Sequence, residues 1–124
     1  MDTTMRSKYN NHKVRCLGET FDSMLECERY KYLKALEQQK VISNLRRQVK
    51  YVLLPSQKDS KTQKTIEREI TYLADFVYEK GSQTIVEDVK GMKTDVYKIK
   101  RKLMLYFHGI KIKEVTKEVK TWAV

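Results

Sequence analysis

The tetrapeptide Lys80-Gly81-Ser82-Gln83 constrains this chain more than any other feature. It joins two runs rich in β-branched and aromatic residues, roughly Ile66 to Glu79 and Gln83 to Lys90. Gly-Ser is a favourable two-residue type II′ loop, whose backbone twist matches that of the strands it connects. Such a loop sets Lys80 opposite Gln83 and carries the pairing onward, so that Val77 faces Val86 and Asp75 faces Asp88. Side chains alternate along a strand, so Lys90 shares the face of Asp88, while Leu73, Asp75 and Val77 line that face from the partner strand. Two acids directly opposed on a half-buried strand pair are unfavourable unless they share a proton or a cation lies between them. Mg²⁺ suits such a place, because it prefers oxygen ligands, takes one or two carboxylates and keeps several waters; Mn²⁺ is the expected substitute. The same residues also read as a surface ion-pair cluster around Lys90, a common and weak arrangement. A one-residue slip in register would separate the acids altogether.

The rest of the chain supplies a consistent set of elements. Residues 1–12 are polar and lack apolar periodicity, so they are expected to form a flexible basic arm, with residues 13–124 as a single domain. KVRCLGETF reads as two short extended pieces around Gly18. Asp22-Ser23 opens a helix running to about Gln39, with Leu25, Tyr32, Leu33 and Leu36 on one side. In ISNLRRQVKYVLLP, Val49, Tyr51 and Leu53 alternate as in a strand, which stops at Pro55; SQKDSKTQK follows as a polar loop. Thr94 and Asp95 can cap a second helix, whose apolar positions Val96, Ile99, Leu103, Tyr106 and Phe107 recur until Gly109 ends it. IKIKEV reads as a last strand. The order helix, three strands, helix, strand implies a mixed sheet flanked by helices, an α/β or α+β domain.

Twenty-six Lys and Arg against sixteen Asp and Glu leave a formal charge of +10. That excess favours a polyanionic partner such as nucleic acid, against the plainer reading of a soluble basic protein. No apolar stretch approaches the roughly 20 residues that span a bilayer, and the N-terminus lacks the apolar run of a signal peptide, so a cytoplasmic location is expected. Cys16 and Cys27 are too few and too irregularly placed for a disulfide framework and read as small reduced core residues. His12 and His108 have no neighbouring ligand pattern, and neither is assigned a catalytic role.

Asp75, followed by Asp88-Val89-Lys90 on the next strand, resembles the PD-(D/E)XK nuclease superfamily, in which an acid and an acid-x-Lys unit occupy adjacent strands. FDSMLECERY, LRRQVKYVLLP, ITYLADFVYE and IVEDVKGMKTDVYKIKRKL together resemble small phage- and prophage-encoded proteins assigned to that superfamily, over most of residues 13 to 108. The resemblance implies an αβββαβ core and Mg²⁺-dependent DNA cleavage. It makes Asp75 and Asp88 metal ligands, with Lys90 assisting attack. Ala74 stands where the proline of the superfamily's pattern would be. Many members carry a further glutamate on the first helix, and Glu26 is the match here. Ser23-x-x-Glu26 is equally a capping box, in which the glutamate serves the helix end. Glu28 and Glu87 are weaker candidates, Glu87 because it points away from the face of Asp88. Gln48 and Lys50 resemble a Gln-x-Lys element of some related nucleases.

Lys98, Arg101 and Lys102 lie opposite the apolar stripe of the second helix and are candidates for phosphate contacts, although a charged outer face is usually only solvated. Arg46, Arg47 and Lys50 form a second possible DNA track. The helix also begins just after Lys90, where its N-terminal amides could meet a phosphate. Three readings follow. The first is a Mg²⁺-dependent DNA endonuclease, by analogy acting as a homodimer on branched DNA such as Holliday junctions in phage recombination or replication. The second is a noncatalytic nucleic-acid-binding module. The third is a nuclease subunit of a larger recombination, packaging or transposition complex.

Overall fold

In the computed structural model, which describes residues 13–124, Gly81 adopts a φ of 61° and the loop produces the expected register. Lys80 pairs with Gln83, Val77 with Val86 and Phe76 with Glu87. The anticipated N-terminal arm lies outside the described residues. A small hairpin comes first, β1 (Val14–Cys16) and β2 (Glu19–Phe21), followed by helix α1 (Met24–Gln38) and the long strand β3 (Ser43–Leu54). A second small hairpin, β4 (Gln57–Lys58) and β5 (Thr65–Glu67), precedes β6 (Ile70–Lys80) and β7 (Gln83–Val89). Helix α2 (Asp95–His108), strand β8 (Lys113–Val115) and a 3₁₀ turn at Val119–Thr121 complete the chain. The central sheet runs β3-β6-β7-β8, antiparallel except for the parallel pair β7 and β8. A parallel pair needs a long crossover, and α2 supplies it. The fold is thus a mixed α+β arrangement of one mixed sheet with two helices.

Helix α1 begins where Ser23 accepts a hydrogen bond from the Glu26 amide at 3.1 Å, as the capping signature requires. It packs Cys27, Tyr30 and Leu33 against Phe76 and Tyr78 of β6. Helix α2 is capped by Thr94 and stopped by Gly109 in the left-handed region. Its Tyr97 and Met104 join Tyr72, Ala74, Val77 and Val86 in a second cluster. Tyr72 and Ala74 therefore belong to the α2-side cluster but Phe76 and Tyr78 to the α1-side one, so simple alternation breaks at Asp75. The expectation that Leu73, Asp75 and Val77 share one face is corrected: Val77 is buried in the α2 cluster, whereas Leu73 is half exposed beside Asp75.

Other expectations are corrected by long-range contacts. The run from Ile66 to Glu79 is not one strand, because β5 ends at Glu67 and β6 starts at Ile70. The supposed loop after Pro55 holds β4 and an ordered turn. Cys16 and Cys27 are paired as a disulfide, with their Cα atoms 5.9 Å apart, because the β1–β2 hairpin folds back onto α1. The apolar stripe of α2 is not the core face: Val96, Ile99 and Tyr106 are 61%, 57% and 81% exposed. The core-facing line runs instead through Tyr97 and Met104. Finally, Arg29 is fully buried and grips Glu87 through Nε at 2.8 Å and Nη2 at 2.5 Å, while Tyr78 also donates to Glu87. Its remaining Nη1 donates to the Trp122 carbonyl at 2.6 Å, tying the C-terminal turn to α1.

Candidate metal and nucleic-acid site

Beyond Phe76 and Glu87 the β6–β7 ladder ends, and Asp75 takes over the pairing with its side chain. Its Oδ2 accepts a hydrogen bond from the Val89 amide at 2.8 Å. Asp88, one residue beyond the last ladder pair, offers Oδ1 to the Tyr72 hydroxyl at 2.7 Å. Its other oxygen, Oδ2, is buried and has no hydrogen-bond partner among the described residues. Lys90 Nζ approaches that oxygen to 3.2 Å, close enough for an ion pair but not aligned as a hydrogen bond. Lys90 also sits over the Tyr97 ring, 4.2 Å from its centroid. Tyr97 donates to Glu114 at 2.8 Å, and Glu114 takes Lys93 and Arg101 at the same distance. Burial would push Glu114 up, but the bonds from Lys93, Arg101 and Tyr97 outweigh it and hold its carboxyl at about 2.

The third acid arrives from α1. Glu26 is buried at the first turn, and its Oε2 accepts from Gln48 at 3.2 Å and lies 3.8 Å from Arg47. Gln48 reaches it from a kink in β3, where its own φ is 53°, between the pairs Arg47 with Phe76 and Val49 with Ala74. Gln48 thus stands opposite Asp75 of the neighbouring β6. All three acids line or border a cavity of about 530 Å³, together with Tyr72, Lys90, Thr94, Tyr97 and Lys100. Burial raises the Asp75 carboxyl to about 7, helped by the negative charges of Asp88 and Glu26. Burial also raises Asp88, against the hydrogen bond from Tyr72 and the charge of Lys90. It raises Glu26 too, with Arg47 opposing.

The structure therefore brings together Asp75, Asp88, Lys90 and Glu26. Among the described residues, no three His, Cys, Asp or Glu side chains stand as a ready metal cage. The donor set still fits Mg²⁺: one carboxylate oxygen is buried without a hydrogen-bond partner, the acids repel one another, and this ion needs only one or two carboxylates beside its waters. Glu87 is excluded, since Arg29 holds it on the other side of the sheet, and Glu28 pairs with Lys31 on the surface at 3.6 Å. His108 contacts the Val52 carbonyl at 2.8 Å, away from the acids.

The proposed DNA-binding cations fare unevenly. Arg46 pairs with Glu79 at 2.6 Å and Arg47 with Glu19 at 2.7 Å. Lys50 pairs with Glu69 at 3.1 Å, and Arg101 with Glu114. Arg101 thus lies beside Tyr97 on α2, where it is tied to Glu114 rather than free. Lys98 and Lys102 are exposed on that helix. Tyr72, Tyr97 and Glu114 escaped sequence reasoning, because only the broken alternation at Asp75 and the crossover of α2 bring them to the acids.

A family described as protein of unknown function (DUF1064) matches residues 6–122, and the chain belongs to it. No curated protein and no solved structure matches the chain. Among the described residues, no helix is long and apolar enough to cross a membrane.

Proposed function

We propose that this member of the DUF1064 family is a Mg²⁺-dependent DNA endonuclease, in which Asp75, Asp88 and Glu26 hold the ion and Lys90 assists phosphodiester hydrolysis. The observation that carries the reading is Asp88 Oδ2, buried and without a hydrogen-bond partner beside a cavity where a neighbouring acid, Asp75, is pushed up to about 7. When bound, Mg²⁺ lowers the pKa of a coordinated water and offsets charge developing on the phosphate. Tyr72 fixes one oxygen of Asp88 and leaves the other without a hydrogen-bond partner, and Gln48 orients Glu26. Lys90, steadied over the Tyr97 ring, places a positive charge 3.2 Å from Asp88, where it can hold a nonbridging phosphate oxygen or the attacking water. By the resemblance to small phage nucleases, branched DNA such as a Holliday junction is the proposed substrate and a cytoplasmic homodimer the proposed form. Work within a larger recombination complex is compatible with the same chemistry.

A noncatalytic nucleic-acid-binding module is favoured by one observation, that each acid already has a protein partner: Val89 for Asp75, Tyr72 for Asp88 and Gln48 for Glu26. Incubation of labelled duplex, single-stranded, flap and four-way DNA with Mg²⁺ or with chelator separates the two. Cleavage that needs metal and vanishes in Asp88→Asn supports the endonuclease; DNA binding with no cleavage of any substrate refutes it.

A further inference from the structure

If this basic protein holds DNA, some of its positive charge must remain available, and beside the exposed Lys98 and Lys102 of α2 the ion pairs of the fold leave a second place for it. Arg46, Arg47, Lys50 and Arg101 are each committed to a carboxylate. The excursion between β3 and β6 is different. There β4 and β5 pair Gln57 with Glu67 and Lys58 with Thr65, forming a two-stranded ribbon of their own. Asp59 closes its tip, accepting from the amides of Lys61 and Thr62 at 2.8 and 2.9 Å, so its carboxylate serves the turn. Those bonds hold the Asp59 carboxyl below the usual range. At the foot, Glu69 is taken by Lys50 at 3.1 Å.

What remains on the ribbon is a set of four cations, Lys58, Lys61, Lys64 and Arg68, all exposed, against one exposed carboxylate, Glu67. None of them is ion-paired among the described residues. Residues 61–69 are exposed throughout, so the ribbon has almost no core of its own to serve. Isolated two-stranded hairpins are marginal in water, and this one is held by its turn and by the paired strands β3 and β6 from which it continues. Its position is also specific. A groove lined by Glu69, Ile70, Thr71 and Leu103 lies at its foot and shares Val96 and Lys100 with the acid cavity. Arg68 and Asp75 lie on one continuous run of chain, at most roughly 23 Å apart at the rise of a strand. That span corresponds to about seven base pairs of duplex at 3.4 Å each.

From this geometry we propose that the β4–β5 ribbon is a DNA-contacting arm, with Lys58, Lys61, Lys64 and Arg68 on the phosphates of duplex several base pairs from the position held by the acids. A two-stranded ribbon is narrow enough to follow a major groove about 12 Å wide. The assignment rests on the nucleic-acid reading of the acid site but makes a separate claim, that duplex beside that site is gripped from the ribbon.

The test measures binding alone, in chelator, by fluorescence anisotropy of a labelled duplex of about 24 base pairs over a range of salt. Replacing all four residues by alanine should reduce the slope of log affinity against log salt by up to about 3.6, at about 0.9 for each phosphate no longer neutralised. A charge-preserving variant, with Lys58→Arg, Lys61→Arg, Lys64→Arg and Arg68→Lys, should keep the wild-type slope. Melting temperatures of both should match wild type, since none of the four side chains is buried or paired. An unchanged slope in the alanine variant overturns the arm, and so does an equal loss in the charge-preserving variant. Metal-dependent cleavage with an unchanged slope would refute the arm and leave the nuclease standing. A lost slope in a protein that cuts no DNA would refute the nuclease and leave the arm.

Discussion

Replacing Asp75 by asparagine should make the metal-free protein more stable at pH 8 while destroying its cleavage activity. Asp75 sits among Asp88, Glu26, Lys90 and the Tyr72 hydroxyl, and burial with the two neighbouring acids raises its carboxyl from 3.8 to about 7. The sign follows from linkage. Below pH 3.8 the group is protonated whether the chain is folded or not, and it costs nothing. As pH rises from 3.8 towards 7, the unfolded chain releases the proton while the folded chain retains it, and stability falls until both forms are ionised. Over that window the cost accumulates to at most about 4 kcal/mol, at about 1.4 kcal/mol for each tenfold step in proton concentration. Asparagine keeps the acceptor that the Val89 amide needs, so little else is lost. Urea denaturation of both proteins at pH 5 and pH 8 in chelator should show a difference that widens with pH and reaches about 2–4 kcal/mol in favour of the variant. Mg²⁺ should then stabilise wild type and leave the variant almost unmoved, because a ligand that binds only the folded form shifts stability by mass action. Wild type as stable as Asp75→Asn at pH 8, or equal stabilisation of both by Mg²⁺, would refute the placement of a charged, metal-seeking carboxylate at this position.

Lys90→Ala should lower the single-turnover cleavage rate by about 10²-fold or more, the scale on which one preorganised stabiliser acts; wild-type kinetics would place Lys90 outside the chemistry. For Glu26→Gln, glutamine can still accept from Gln48 and complete a helix cap, so the melting temperature should hold while cleavage collapses; normal turnover would reduce Glu26 to a structural role. Glu87→Ala should destabilise the domain by about 3–5 kcal/mol, because it leaves the fully buried Arg29 guanidinium uncompensated; a change below 1 kcal/mol in urea denaturation would mean that water or the Trp122 carbonyl satisfies Arg29 without it.

The order of elements and the pairing of the central hairpin are legible in the sequence because both depend on neighbours along the chain. Gly81-Ser82 dictates its own backbone, and with it the pairs down to Phe76 and Glu87. Ser23, Thr94 and Gly109 mark helix ends through hydrogen bonds that reach only a few residues. By the same local logic the loop by itself sets Asp75 and Asp88 near each other on adjoining strands. Only the tertiary structure decided which partners come from far away. It paired Cys16 with Cys27. It buried Arg29 on Glu87, assigned Arg101 to Glu114, and exposed the α2 stripe that periodicity alone would place in the core. Periodicity reports which side of an element is apolar, whereas burial depends on what packs against it. Ion pairs depend on which side chains distant segments bring within reach. For that reason, the acids of the site could be read from the sequence. The hydroxyls of Tyr72 and Tyr97, which hold Asp88 and Glu114, could not.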